Sequence, residues 1–174
     1  MATQLRDLLT LGGTHHISNI NSKGAKPLVN GAVLGGSNLD NGSLVELDGF
    51  DTEGNRKCKP WEGTATKYFV QTSEQDQMLT EYGENQITMF YNKVGEIIRI
   101  YKVYSGLRTE VSNYTVKAST SITYGSKVFY DVDTNAYIVN GDASGTVIEI
   151  GEVVGMDTDF GANAGKETIR VEWL

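Results

Sequence analysis

From Tyr124 to Leu174 the apolar residues fall in short runs separated by Gly, Asn and Asp, the spacing of strands joined by tight turns. YGSKVFYDVDTNAYIVNG predicts two strands, Lys127–Asp131 and Ala136–Val139, with Asp133, Thr134 and Asn135 as the turn between them. TVIEIGEVVG predicts a third after the turn at Gly141–Gly145. The closing TIRVEWL alternates Ile169, Val171 and Trp173 with Arg170 and Glu172, so one face of a final strand is apolar. Upstream, Leu44–Leu47 reads as a strand entered from the Asn41-Gly42 turn and followed by a loop, DGFDTEGNRKCKPWEG. Thr64–Gln71, Gln86–Tyr91 and Glu96–Tyr104 are further strands, and in the last Ile98 and Ile100 face away from Ile97, Arg99, Tyr101 and Val103. Polar Ser73–Leu79 fits one helical turn capped by Ser73. The pattern predicts an all-β fold, a small β-barrel or β-sandwich with at most short helices.

The first 42 residues differ. They contain no aromatic, few bulky apolar groups after Leu11, and the clusters Gly12-Gly13, Asn30-Gly31 and Gly35-Gly36. This composition predicts an extended N-terminal arm over 1–42 and a β-rich domain over 43–174. Within the arm Thr3 is placed to cap a short helix whose Leu5, Leu8 and Leu9 share one face. So short a helix is marginal in water, so this face is expected to dock, on its own domain or on a partner.

Composition narrows the function. A length of 174 residues suits one compact domain, and 20 Gly, 9 Tyr and only 2 Pro favour strands and tight turns. A formal net charge of -7 opposes nucleic-acid binding, which depends on Lys and Arg neutralising phosphates. The N-terminus lacks a secretory signal pattern and no apolar run is long enough to span a bilayer, so cytoplasmic synthesis and no membrane partner are expected. One cysteine, Cys58, excludes an intramolecular disulfide.

Candidate chemistry is sparse. His15 and His16 are adjacent, and neighbours at that spacing point apart in a strand, which disfavours a shared metal. Cys58 lies between Lys57 and Lys59, an arrangement that lowers a thiol pKa, but no histidine is close in sequence to activate it. Asp131, Asp133 and Asn135 open like a calcium loop, yet Ala136 stands at the sixth position and Asp142 at the twelfth, and a hairpin turn explains the same residues. No nucleophile elbow, metalloprotease helix or phosphate loop occurs, and neither enzyme activity nor a cofactor is expected. Tyr101, Tyr104, Tyr114, Tyr124, Tyr130, Tyr137, Trp61 and Trp173 offer rings for a core, an interface or the faces of sugars. Trp173 has two destinations, the domain's own core or a groove on a neighbouring copy, where it would be an interface anchor.

NGSLVELDG, GSKVFYDVDTNAYIVNG and EIGEVVGMDTDFGANAGKETIRVEWL, in that order, resemble the tailed-bacteriophage capsid decoration, or cement, proteins. The matching pieces are Asn41–Val45, Gly125–Phe129, Ile150–Val153 and Thr168–Leu174; Pro60 to Tyr114 has no counterpart and reads as an insertion. The resemblance implies a virion protein on the capsid exterior that binds the major capsid protein, self-associates on the shell and stabilises it without chemistry. A carbohydrate-binding or adhesin module is the competing reading, carried by the aromatics.

Overall fold

The computed structural model describes residues 18–20, 24–72, 91–157 and 167–174, and among them every regular element is a strand. The fold is all-β, as the alternation predicts. One sheet orders its seven strands β1 (Ser18–Ile20), β8 (Arg108–Val111), β13 (Thr168–Trp173), β12 (Val147–Asp157), β10 (Lys127–Asp131), β11 (Ala136–Val139) and β9 (Tyr114–Val116). The other orders six: β6 (Ile97–Ile98), β2 (Ala32–Leu34), β4 (Arg56–Pro60), β3 (Leu44–Phe50), β5 (Tyr68–Val70) and β7 (Ile100–Lys102).

Both sheets curl, and in the six-stranded one a single kinked stretch of chain serves at both ends. In the six-stranded sheet β6 pairs with β2 and β7 with β5, and only Arg99 separates them. The stretch before β2 closes the circuit: Leu28 N donates to Ile100 O at 2.9 Å and Lys102 N to Lys26 O at 2.9 Å. In the seven-stranded sheet β8 pairs antiparallel with β13, while β9, two residues on, runs parallel to β11.

Two apolar clusters fill these curls. The first gathers Val128, Tyr130, Tyr137, Val139, Ile150, Val153, Ile169, Val171 and Trp173 and takes in Leu44, Trp61 and Phe69 from the other sheet, so the two sheets share it. The second, Ala32, Leu34, Leu39, Val45, Cys58, Val70, Ile98 and Ile100, lies inside the six-stranded sheet. Trp173 is buried in the domain's own core, its Nε1 donating to Thr109 Oγ1 at 3.0 Å.

Several expectations are corrected. The described part of the 1–42 arm is not an arm: β1 pairs with β8, β2 lies between β4 and β6, and Ala32, Leu34 and Leu39 are buried. Three small or medium apolar side chains with continuous backbone pairing integrate this segment without any aromatic. The 60–114 stretch is no insertion, since β5 to β8 complete both sheets. The loop expected after Leu47 is a hairpin whose second arm is β4, closed by the Asp51 carboxylate accepting from the backbone N–H of Glu53 and Asn55. Thr64–Gln71 contracts to β5, and Glu96–Tyr104 breaks at Arg99. Ser73–Leu79 lies outside the described residues, as does Gln86–Tyr91 but for Tyr91.

Candidate interaction surface

The largest exposed apolar side chains of the six-stranded sheet gather on one side. Leu28–Gly31 makes a tight turn, closed by Gly31 N donating to Leu28 O at 3.0 Å, with Asn30 at φ 67° and Gly31 at φ 64°. A Cβ on Gly31 would strike the Ile98 carbonyl oxygen, so the turn can press against β6 only with glycine there. The turn lifts Val29 to 82% exposure. Beside it Ile97, 62% exposed, points out because its neighbour Ile98 points in. A bulge between Leu47 and Phe50, with Gly49 at φ 70°, turns Phe50 outward to 62% exposure, and the Arg56 guanidinium covers its ring at 4.7 Å.

Two shallow grooves flank this ridge and share Val29, Asn30, Gly31 and Ile97. One, of about 360 Å³, runs to Phe50 and Arg56. The other, of about 530 Å³, follows Ile97–Tyr101 past Arg99 to Thr72. Arg56 lines the first groove and Arg99 the second, and both mix apolar side chains with polar groups.

The sequence-derived candidates sit elsewhere. Cys58 is fully buried, and burial pushes its thiol up to about 12, opposite to the lowering expected from Lys57 and Lys59. Lys57 instead approaches Asp48 at 3.8 Å and Lys59 approaches Glu46 at 3.4 Å and Glu62 at 2.6 Å, so neither acts on the sulfur. Asp131, Asp133 and Asn135 form the turn between β10 and β11. The Asp131 carboxylate accepts from Asp133 N at 3.2 Å and Thr134 Oγ1 at 2.8 Å, while Asn135 Oδ1 accepts from the Tyr130 hydroxyl at 3.2 Å. Their oxygens are spent on separate local bonds, and among the described residues no group of three His, Cys, Asp or Glu is placed to hold a metal. Leu5, Leu8, Leu9, His15 and His16 lie outside the described residues.

The aromatic list divides in the same way. Trp61, Trp173, Tyr130 and Tyr137 are core, the last two with hydroxyl pKa values raised by burial. Tyr101, Tyr104 and Tyr114 are half-buried, and Tyr124 alone of the eight is mostly exposed, at 74%. Lys67 sits over Trp61 and Trp173 with its nitrogen 5.5 Å from each ring, and burial lowers its pKa. Sequence reasoning had one signal for the surface, the alternation that sets Ile97 opposite Ile98; Val29, Phe50, Arg56 and Arg99 join Ile97 only through the fold.

Comparison with known proteins adds ancestry. The model of the YonC prophage protein family matches residues 12–174. A relative from Bacillus subtilis (strain 168), the "SPbeta prophage-derived uncharacterized protein YonC", is 32% identical over 183 residues, covering 99% of this chain and 98% of that protein. No solved structure matches. The match extends over both curled sheets and every described residue, and the chain therefore belongs to the YonC prophage protein family and is phage-derived.

Proposed function

We propose that this protein is a structural component of the phage particle that binds the outside of the assembled head and stabilises it by non-covalent contact alone. One observation carries the reading: a chain of phage descent folds into two β-sheets that share a core and turns Val29, Phe50 and Ile97 outward, a surface suited to contact with a partner. The partner is the major capsid protein in its assembled form. A ligand that binds the shell and not its separated subunits shifts the equilibrium toward the shell by its binding free energy, with no reaction needed.

The test uses particles of the phage that encodes the chain. Purified heads should contain the protein in a fixed ratio to coat subunits, and immunogold labelling should place it outside. Heads stripped of it should rebind the pure protein, and unassembled coat subunits should not. Absence from purified particles would overturn the proposal.

A further inference from the structure

Asparagine followed by glycine is a chemically labile pair, because the glycine nitrogen, unshielded by a side chain, can attack the asparagine amide carbon. The sequence holds three such pairs, Asn30-Gly31, Asn41-Gly42 and Asn140-Gly141. The reaction needs a side-chain amide that turns toward the next nitrogen and a backbone that gives way, and the fold treats the three pairs differently.

Asn41 is buried and fully engaged. Its Oδ1 accepts from Thr72 N at 3.0 Å and from Asn92 Nδ2 at 3.2 Å, its Nδ2 donates to Thr72 O at 2.9 Å, and Gly42 N donates to Val70 O at 2.8 Å. Asn140 is half-buried. Its Nδ2 donates to Ser121 O at 3.1 Å and its backbone N to Lys127 O at 2.8 Å, while Gly141 lies against the side chains of Ile138 and Phe129. Asn30 is exposed on the ridge beside Val29, and its side chain makes no hydrogen bond with a described residue. What restrains this pair is the backbone: Gly31 N donates to Leu28 O at 3.0 Å, and the turn presses Gly31 on the Ile98 carbonyl. Reaction at Asn30 therefore waits on a local opening of one surface turn, which costs far less than opening the buried network around Asn41.

We propose that Asn30 is a site of spontaneous covalent modification, converting through a cyclic imide to aspartate and isoaspartate in the folded protein while Asn41 and Asn140 are protected. Gly31 N forms a bond to Asn30 Cγ and gives up its proton; the Cγ–Nδ2 bond breaks, and ammonia leaves with that proton. Water then adds to one of the two ring carbonyls. Breaking the new bond between Gly31 N and Cγ gives aspartate, and breaking the original peptide bond gives isoaspartate. Water is the only co-reactant and nothing is oxidised or reduced. Either product adds a negative charge at a residue that lines both grooves, and isoaspartate also adds a methylene to the backbone of the turn. The reaction belongs to the free chain and stands whether or not the ridge meets a phage head.

The experiment holds the full chain for days at mildly alkaline pH, beside a sample unfolded in guanidinium chloride, and follows each pair by peptide mass spectrometry. Unfolded, all three pairs should convert at similar rates. Folded, Asn30 should convert to both aspartate and isoaspartate, on the order of tenfold or more faster than Asn41 or Asn140. Asn30→Asp, which the positive φ accommodates, should remove the early acidic shift seen by isoelectric focusing. An Asn30 that stays intact over the time in which the unfolded chain converts overturns the proposal. So does conversion of Asn41 or Asn140 at an equal or greater rate in the folded protein. Aspartate without isoaspartate would mean direct hydrolysis and overturns the cyclic route.

Discussion

Tyr137 donates its hydroxyl hydrogen to the Gly42 carbonyl at 2.6 Å, from β11 of the seven-stranded sheet to the turn that enters β3 of the other. Tyr130 makes the neighbouring tie, its hydroxyl oxygen accepting from Leu44 N at 3.0 Å. Both rings are buried, 5.1 Å apart, so the two hydroxyls dock one sheet onto the other's backbone. Removing either oxygen strands a buried backbone group. Tyr130→Phe and Tyr137→Phe should each destabilise by about 1–3 kcal/mol with the fold retained, measured by chemical denaturation.

The same burial sets an alkaline limit. Desolvation raises both tyrosine pKa values above 10.0, and desolvation and then the Asp48 charge raise that of Cys58 to about 12. A raised folded value gives stability that is fully present below the unfolded pKa and falls as pH rises toward the folded one. Stability should therefore decline from about pH 9–10 upward. Lys67, with its pKa lowered by burial, acts in the opposite sense up to its unfolded value, but it is one group against three. Tyrosinate absorbance should show these two rings ionising only as the protein unfolds. Their titration at an ordinary pKa in the folded state would contradict the packing.

Trp173 tests the core directly. Its ring meets Phe69 and Tyr137 edge-on at 6.5 and 6.4 Å, joining a ring from each sheet. Trp173→Ala should destabilise the isolated protein by about 3–5 kcal/mol. A change below about 1 kcal/mol would mean that the ring is not core.

Legibility in the sequence follows how locally each element is determined. β10, β11 and β13 were readable because strand and turn signals lie side by side: burial follows the alternation in TIRVEWL, and Asp131–Asn135 forms its own turn. β2 and β4 were not, because AVL and RKCKP have little amphipathic length and are buried by partners far along the chain. Arg99 shows the same limit. Nothing local marks it as the break between two strands; the break exists because one stretch must pair with β2 on one side and β5 on the other. The interaction surface was least legible, since Val29 and Phe50 owe their exposure to a turn and a bulge.

Gly31 should be irreplaceable where Gly54 is not. Both have positive φ, 64° and 85°, but a Cβ at Gly31 meets the Ile98 carbonyl while one at Gly54 meets open space. Gly54→Ala should destabilise by about 1 kcal/mol from the backbone alone. Gly31→Ala adds a clash with backbone and should exceed about 2 kcal/mol, with loss of the ridge that carries Val29. Equal effects in thermal melts would reject the close approach.

Truncation tests what the N-terminal segment contributes. Deleting residues 1–17 tests the segment bearing Leu5, Leu8 and Leu9: a shortened protein that keeps its circular dichroism spectrum but loses head binding would assign that segment to the partner. Deleting residues 1–36 removes β1, β2 and buried Leu34, and it opens the circuit in which Leu28 and Lys26 bond to Ile100 and Lys102. Losing one buried leucine alone is worth about 2–5 kcal/mol, comparable to the whole stability of many domains. The longer deletion should therefore be unfolded or molten by circular dichroism and one-dimensional NMR. A cooperative, native-like spectrum from it would show that the first 36 residues are an arm after all, and that the six-stranded sheet does not depend on β2.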